Sequence, residues 1–129
     1  MAEEDARPGP LAGLLVADFS RVLAGPYCTM LLADLGADVI KVESPAGDDT
    51  RGWVPPTRDG VATYYLAINR NKRSVALDLK DPGDRAAAAE LARRADIMVQ
   101  NFKPGGRVRR PRRGRRGPSG RAPPTACSG

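Results

Sequence analysis

Four short apolar runs, separated by helical and turn-rich segments, decide which architectures are open to this chain. They are "LLVADF" at 14–19, "DVIKVE" at 38–43, "SVALDL" at 74–79 and "DIMVQNF" at 96–102. Each is too short for a core helix and is bounded by turn residues. Val39, Ile40 and Val42 in the second run favour a pleated strand. After the first run, Pro26 stands where a helix can begin without its N–H. Met30, Leu31 and Leu35 follow near helical spacing, and Gly36 supplies a stop. After the third run, Asp81 reads as an N-cap and Pro82 as the first helical residue. An alanine-rich interior continues that helix over 82–94. Strand and helix alternate, and the strands carry apolar residues for both faces. The pattern predicts an α/β fold with a parallel sheet covered by helices, the third and fourth strands forming a right-handed βαβ unit with the 82–94 helix.

The segment 44–62 holds Pro45, Gly47, Gly52, Pro55, Pro56 and Gly60, and reads as a long loop. "YYLAINRNKR" fits a helical turn followed by a loop. Ligands of parallel sheets bind beyond the carboxyl ends of the strands, so the loops opening at Ser20, Ser44, Lys80 and Asn101 are the places to examine. Neither a G-x-G-x-x-G nor a G-x-x-x-x-G-K-[ST] loop occurs, which sets dinucleotide and P-loop chemistry aside. Glu43 ends the second run, where a dehydrogenase would place its ribose-binding acid. Without the glycines, a solvated or capping role is preferred. "NRNKRS" at 69–74 gathers three cations before a strand. It reads either as a solvated turn or as a site for an anion.

Charge divides the chain in two. Of 129 residues, 105–129 hold eight arginines and no acid, so a formal charge of +6 leaves 6 − 8 = −2 for residues 1–104. The body is that of an ordinary globular domain, and one domain is the most that this length suggests. Histidine is absent, which removes histidine triads, bases and metal ligands from consideration for these residues. No metal is expected. The first ten residues, "MAEEDARPGP", are unlike a secretory signal, and no run of about 18 apolar residues offers a membrane span. A lone buried thiol at Cys28 fits a cytoplasmic setting.

The stretch "PLAGLLVADFSRVLAGPYCTMLLADLGADVIKVESPAGDDTRGW", followed by "NRNKRSVALDLKDP" and "ADIMVQNFKPG", resembles the start of the family III CoA-transferases. That group includes formyl-CoA transferase, carnitine CoA-transferase, the bile-acid-inducible CoA-transferases and α-methylacyl-CoA racemase. The resemblance runs from Pro10 to Gly105 and implies a Rossmann-like large domain that binds coenzyme A or acyl-CoA as substrate; full-length relatives form interlocked homodimers, which residues 1–129 alone are not expected to form. It places Leu23 and Ala24 at the ligand, Leu77 and Lys80 at the nucleotide end, and Asn101, Phe102 and Lys103 at another contacting turn. Many members carry an arginine after the glutamate of the second strand; here Ser44 stands in its place.

The resemblance also implies an aspartate nucleophile, or in racemases a histidine and aspartate, well downstream of these motifs. No residue of this chain matches those positions, so no catalytic residue is assigned and residues 1–129 alone are expected to be inactive. After "NFKPG" the sequence turns abruptly to Arg, Gly, Pro, Ala and Ser, as a GC-rich reading frame does after a slip. The organisation expected is a flexible 1–9, an incomplete CoA-transferase domain at 10–104, and a disordered basic tail at 105–129. A frame slip is the preferred origin of the tail, ahead of an incidental tail and of a nucleic-acid arm. The arm, and with it a small basic-tailed nucleic-acid-binding protein, ranks last because no aromatic residue offers base stacking. A four-stranded sheet would leave an unpaired edge, so a marginal domain is expected.

Overall fold

The computed structural model describes residues 8–103 and the strand at 125–128. The main sheet contains β1 (Leu15–Phe19), β2 (Asp38–Glu43), β5 (Arg73–Ala76), β6 (Ile97–Gln100) and β7 (Thr125–Ser128). A two-stranded ladder of β3 (Thr57–Arg58) and β4 (Val61–Ala62) sits in the long loop. The helices are α1 (Ala24–Asp34), α2 (Thr63–Ile68) and α3 (Pro82–Arg94). All pairings in the main sheet are parallel, and the order is β5-β2-β1-β6-β7. Numbered along the sheet's own strands this is 3-2-1-4-5, the Rossmann order. The expected α/β, Rossmann-like sheet with covering helices is therefore present. The third and fourth strands, β5 and β6, are not neighbours as a simple βαβ unit requires. The α3 crossover passes over β2 and β1, because the free side of β1 is where the fourth strand finds its ladder.

Side-chain alternation along β1 explains the layers. Ala17 and Phe19 face α3 and pack with Val42, Ala88, Ala92 and Ala95. Val16 faces the other way and packs with Val39, Ala33 and Ala37. Small residues dominate both helix contacts, so the helix axes come close to the sheet. In α1 the buried face is Gly25, Pro26, Thr29, Met30 and Ala33. Leu31 and Leu35, which fall near helical spacing with Met30, are 43% and 46% exposed. Cys28 is partly rather than fully buried, since it too lies off that small-residue face.

Local signals set most of the element ends. Asp81 accepts from the amides of Gly83 and Asp84 at 2.8 and 3.0 Å, with Pro82 in the first turn. Gly36 ends α1 at φ +99°, a conformation a side chain would resist. Thr125–Ser128 differ from the expectation of a disordered tail. They form β7 along β6, in register Ile97↔Thr125 through Gln100↔Ser128. The unpaired edge expected beside β6 is thus occupied, because its backbone donors and acceptors complete a ladder there. The remainder of the expected tail, 105–124 and 129, and residues 1–7 of the expected flexible N-terminus lie outside the described residues.

Gly25 marks the tightest contact between α1 and the loop after β1. A Cβ there would lie 2.2 Å from Ser20 Cβ and 2.4 Å from Ser20 Oγ. Ser20 is fully buried, so relief requires backbone movement. Gly25→Ala is expected to cost about 1–3 kcal/mol by the usual overpacking penalty. Urea denaturation measures this as a lower midpoint at constant m; an unchanged midpoint would contradict the close approach.

Candidate functional site

The α1 face of the sheet changes character along the strands. Val16 and Val39 make its lower part apolar. Two residues further on, alternation puts Asp18 and Lys41 on the same face, and Glu43 ends the row. Asp18 and Lys41 are 0% and 1% exposed, so each needs an internal partner. Lys41 Nζ meets Asp48 Oδ2 at 2.9 Å and donates to the Ser20 carbonyl at 2.9 Å. Lys72 Nζ meets Asp18 Oδ2 at 3.1 Å and donates to the Pro26 carbonyl at 2.8 Å and to Asn69 Oδ1 at 2.9 Å. Asp18 also accepts from Thr29 Oγ1 at 2.6 Å, from the Ser20 amide at 2.9 Å and from Ser20 Oγ. No buried side-chain polar atom among the described residues lacks a partner.

Glu43 anchors the long loop. Arg51 donates to both of its oxygens, at 2.7 and 2.9 Å. Tyr65 OH donates at 2.5 Å, Ser74 Oγ at 3.0 Å and the Asp48 amide at 2.9 Å. The Arg51 guanidinium lies 3.9 Å from the Tyr65 ring centroid. Burial alone would raise the Glu43 pKa, but donation from Arg51, Tyr65, Asp48 and Ser74 outweighs it and lowers the value to about 2. Burial and the Glu43 carboxylate push the Tyr65 hydroxyl up. Asp48 is lowered in the same balance: burial opposes ionisation, and donation from Thr50 and Lys41 overcomes it. Burial pulls Lys72 down, in spite of Asp18.

The loop between β1 and α1 sits at the topological switch point, where β2 lies on one side of β1 and β6 on the other. Asn101, just past β6, reaches back to it. Its Oδ1 accepts from the Arg21 amide at 2.9 Å and its Nδ2 donates to the Arg21 carbonyl at 2.8 Å. Val22 has φ +71°, rare for a β-branched residue. Leu23 caps α1 without a side-chain hydrogen bond, and no acid stands in the first turn. Asp48 of the long loop stands beside this end of the helix instead, its Oδ2 accepting from the Val22 amide at 3.4 Å.

Comparison with known proteins decides what such a crevice belongs to. The model of CoA-transferase family III matches residues 11–112. The chain belongs to CoA-transferase family III. It is 54% identical over 97 residues to succinyl-CoA:glutarate CoA-transferase from Mus musculus, covering 74% of this chain and 22% of that protein. It is 50% identical over 110 residues to succinate–glutarate CoA-transferase from Agrobacterium fabrum, covering 80% and 28%. A solved CAIB/BAIF family protein from Brucella suis superposes with a TM-score of 0.74 at 48% identity, over 78% of this chain and 28% of that one. The chain therefore spans about a quarter of the length of these relatives.

The residues that the family resemblance places at the ligand fall into two groups in the fold. Leu23 and Ala24 at the start of α1, and Asn101, Phe102 and Lys103 after β6, flank the switch point, with Asn101 clasped to Arg21. Phe102 is partly buried against the α3-side core. Leu77 and Lys80 follow β5, two strands from β1. Leu77 extends the ladder through its amide to the Glu43 carbonyl at 2.9 Å and packs on the same core as Phe102, while Lys80 is exposed. Ser44 Oγ donates to the Gly47 carbonyl at 3.2 Å, and the Ser44 carbonyl accepts from the Gly47 amide at 2.8 Å. The cations of "NRNKRS" are turned inward or paired: Arg70 with Asp34, Arg73 with Asp38 and Lys72 with Asp18. Of the three, Lys72 has a buried side chain, while the side chains of Arg70 and Arg73 are 52% and 66% exposed. Glu43 is likewise an anchor rather than a solvated acid. Sequence reasoning passed over Lys41 and its partner Asp48, and met Lys72 only as one of the three cations of "NRNKRS". The signal was available in "VADF" and "VIKVE", where a charge interrupts a strand otherwise built for burial.

The low pKa of Glu43 makes stability depend on acid. Its folded value, about 2, lies below the ordinary 4.5. The contribution is complete above the unfolded pKa and is lost as pH falls toward 2. Full loss amounts to about 3 kcal/mol at most, since each pH unit between the folded and unfolded values is worth roughly 1.4 kcal/mol. Denaturation at pH 7 and pH 3 should therefore show a smaller acid loss in Glu43→Gln than in the unsubstituted chain. An equal loss in both would remove Glu43 as a source.

Proposed function

We propose that the chain contributes the coenzyme A-binding part of an enzyme that moves coenzyme A between an acyl-CoA and a carboxylic acid. The observation that carries this reading is the β1–α1 loop. In a chain belonging to CoA-transferase family III, it lies at the switch point of a Rossmann-ordered sheet, fastened to the turn after β6. We assign the ligand to Leu23 and Ala24 on one side and Phe102 and Lys103 on the other, with Asn101 between them. Leu77 and Lys80 are assigned to its nucleotide end. Lys80 and Lys103 are exposed, so a phosphate can reach them without displacing an internal partner. Calorimetric titration of the 129-residue chain with coenzyme A should give binding at about 1 mM or tighter, a free energy of about −4 kcal/mol. Lys80→Ala should weaken it. Affinity unaffected by that change would remove Lys80 from the site.

Transfer itself is assigned to residues other than those described. The nucleophile implied for this family is a carboxylate held against a thioester, and position provides much of such a rate. Asp18, Glu43 and Asp48 are buried and fully engaged with internal donors, so none is available to attack. The relatives' names pair succinyl-CoA with glutarate, which makes these the first donor and acceptor to assay. Purified 1–129 should show no turnover and no hydroxylamine-trapped acyl adduct. An adduct on any aspartate of this chain would show that the active carboxylate lies among these residues.

A further inference from the structure

The stretch from Ser20 to Pro26, which is the β1–α1 loop and the first turn of α1, is fastened at four places, and the fastenings come from four different parts of the chain. Lys41 of β2 holds the Ser20 carbonyl at 2.9 Å. Lys72, just before β5, holds the Pro26 carbonyl at 2.8 Å. Asp48, in the long loop, accepts from the Val22 amide at 3.4 Å. Asn101, after β6, takes both the amide and the carbonyl of Arg21. Between these points Val22 sits at φ +71°. A β-branched residue does not hold that conformation unless its surroundings over-determine it. Asp48 is itself fixed, because Lys41 Nζ, the Thr50 amide and Thr50 Oγ1 all donate to it, at 2.9, 3.0 and 2.8 Å.

We infer that Asn101 and Asp48 are positioning residues for coenzyme A: they act through the backbone of Arg21 and Val22, holding the β1–α1 loop in the strained conformation that receives the ligand. This rests on the coenzyme A reading given above. For Asn101 it changes the expected role, since both ends of its side-chain amide are already spent on Arg21. The buried lysines set the ends of the loop, while Asp48 and Asn101 set its middle. Of these, Asn101 is the most accessible to test, because it is only partly buried and carries no charge. Without it, Val22 relaxes toward negative φ, and ligand binding must restore the strained state.

The experiment combines Asn101→Ala with Val22→Gly in the 129-residue chain and reads coenzyme A affinity by calorimetry. If Asn101→Ala leaves the receptive loop populated at about a tenth, the apparent Kd rises about tenfold. Glycine reaches positive φ without steric cost, so Val22→Gly in the Asn101→Ala background should restore most of that loss. A merely structural role, or a direct contact from Asn101 to the ligand, gives no such rescue. Asp48→Asn should weaken binding in the same direction and be rescued in the same way. The Val22 amide–Hα coupling, read by NMR without ligand, should move from its positive-φ value in both Asn101→Ala and Asp48→Asn. Binding by the unsubstituted chain with no loss in Asn101→Ala, a loss that glycine does not rescue, or an unmoved Val22 coupling would each overturn the inference. Absence of binding by the unsubstituted chain would instead overturn the coenzyme A reading, with the coupling still deciding whether Asn101 and Asp48 hold the loop.

Discussion

The rest of the site depends on the burial of two ammonium groups under the carboxyl ends of the strands. The side chains of Lys41 and Asp48 are each 1% exposed, and those of Lys72 and Asp18 are 1% and 0% exposed. Taking such charges out of water is costly, and attraction offsets the cost only when the remaining protons and lone pairs are also satisfied. Here they are: each ammonium adds a backbone carbonyl, and each carboxylate adds hydroxyl or amide donors. Removal of one partner from a buried pair costs about 3–5 kcal/mol in general, because the other charge is stranded. The pairs therefore act less as a net source of stability than as a device that permits one arrangement of the loops and penalises others.

That arrangement is what sheet order makes useful. In the order β5-β2-β1-β6-β7, connections from β1 leave toward β2, and the chain returns to the opposite side of β1 through α3. The crevice between the two departures is bounded by the β1–α1 loop and the turn after β6. Asn101 spans it with two hydrogen bonds. The long loop closes over the β2 side, held by the Arg51–Glu43–Tyr65 cluster. Three loops from distant parts of the sequence thus share one wall. The apolar half of the same sheet face, Val16 and Val39 against Ala33 and Ala37, supplies the rigid floor.

Local chemistry made some of this legible. The 82–94 helix follows from Asp81, Pro82 and alanine propensity, and its observed span is Pro82–Arg94. The second strand, Asp38–Glu43, follows from its β-branched residues. The motifs "SRVLAGP", "NRNKRS" and "QNF" pointed to the correct family because their order and spacing are specific. Helix faces were less legible. Met30, Leu31 and Leu35 showed helical spacing but not which of them is buried: α1 buries Met30 with Gly25, Thr29 and Ala33, and leaves Leu31 and Leu35 exposed. Thr125–Ser128 gave no strand signal of their own; the open edge of β6 made them one.

The sequence by itself determined the four principal strands, the helices around them, their parallel arrangement and the family, because propensity, capping and motif spacing act over a few neighbouring residues. Tertiary structure alone decided which charges are buried in internal pairs and which stay in solvent. Lys72 and Lys80 are both cations beside the same strand. The first is buried on Asp18, 54 positions away, and the second is exposed. Nothing local distinguishes them. Whether a lysine becomes an internal strut or stays in solvent depends on which carboxylate the sheet order brings beneath it, and in the low-dielectric interior that meeting fixes its role.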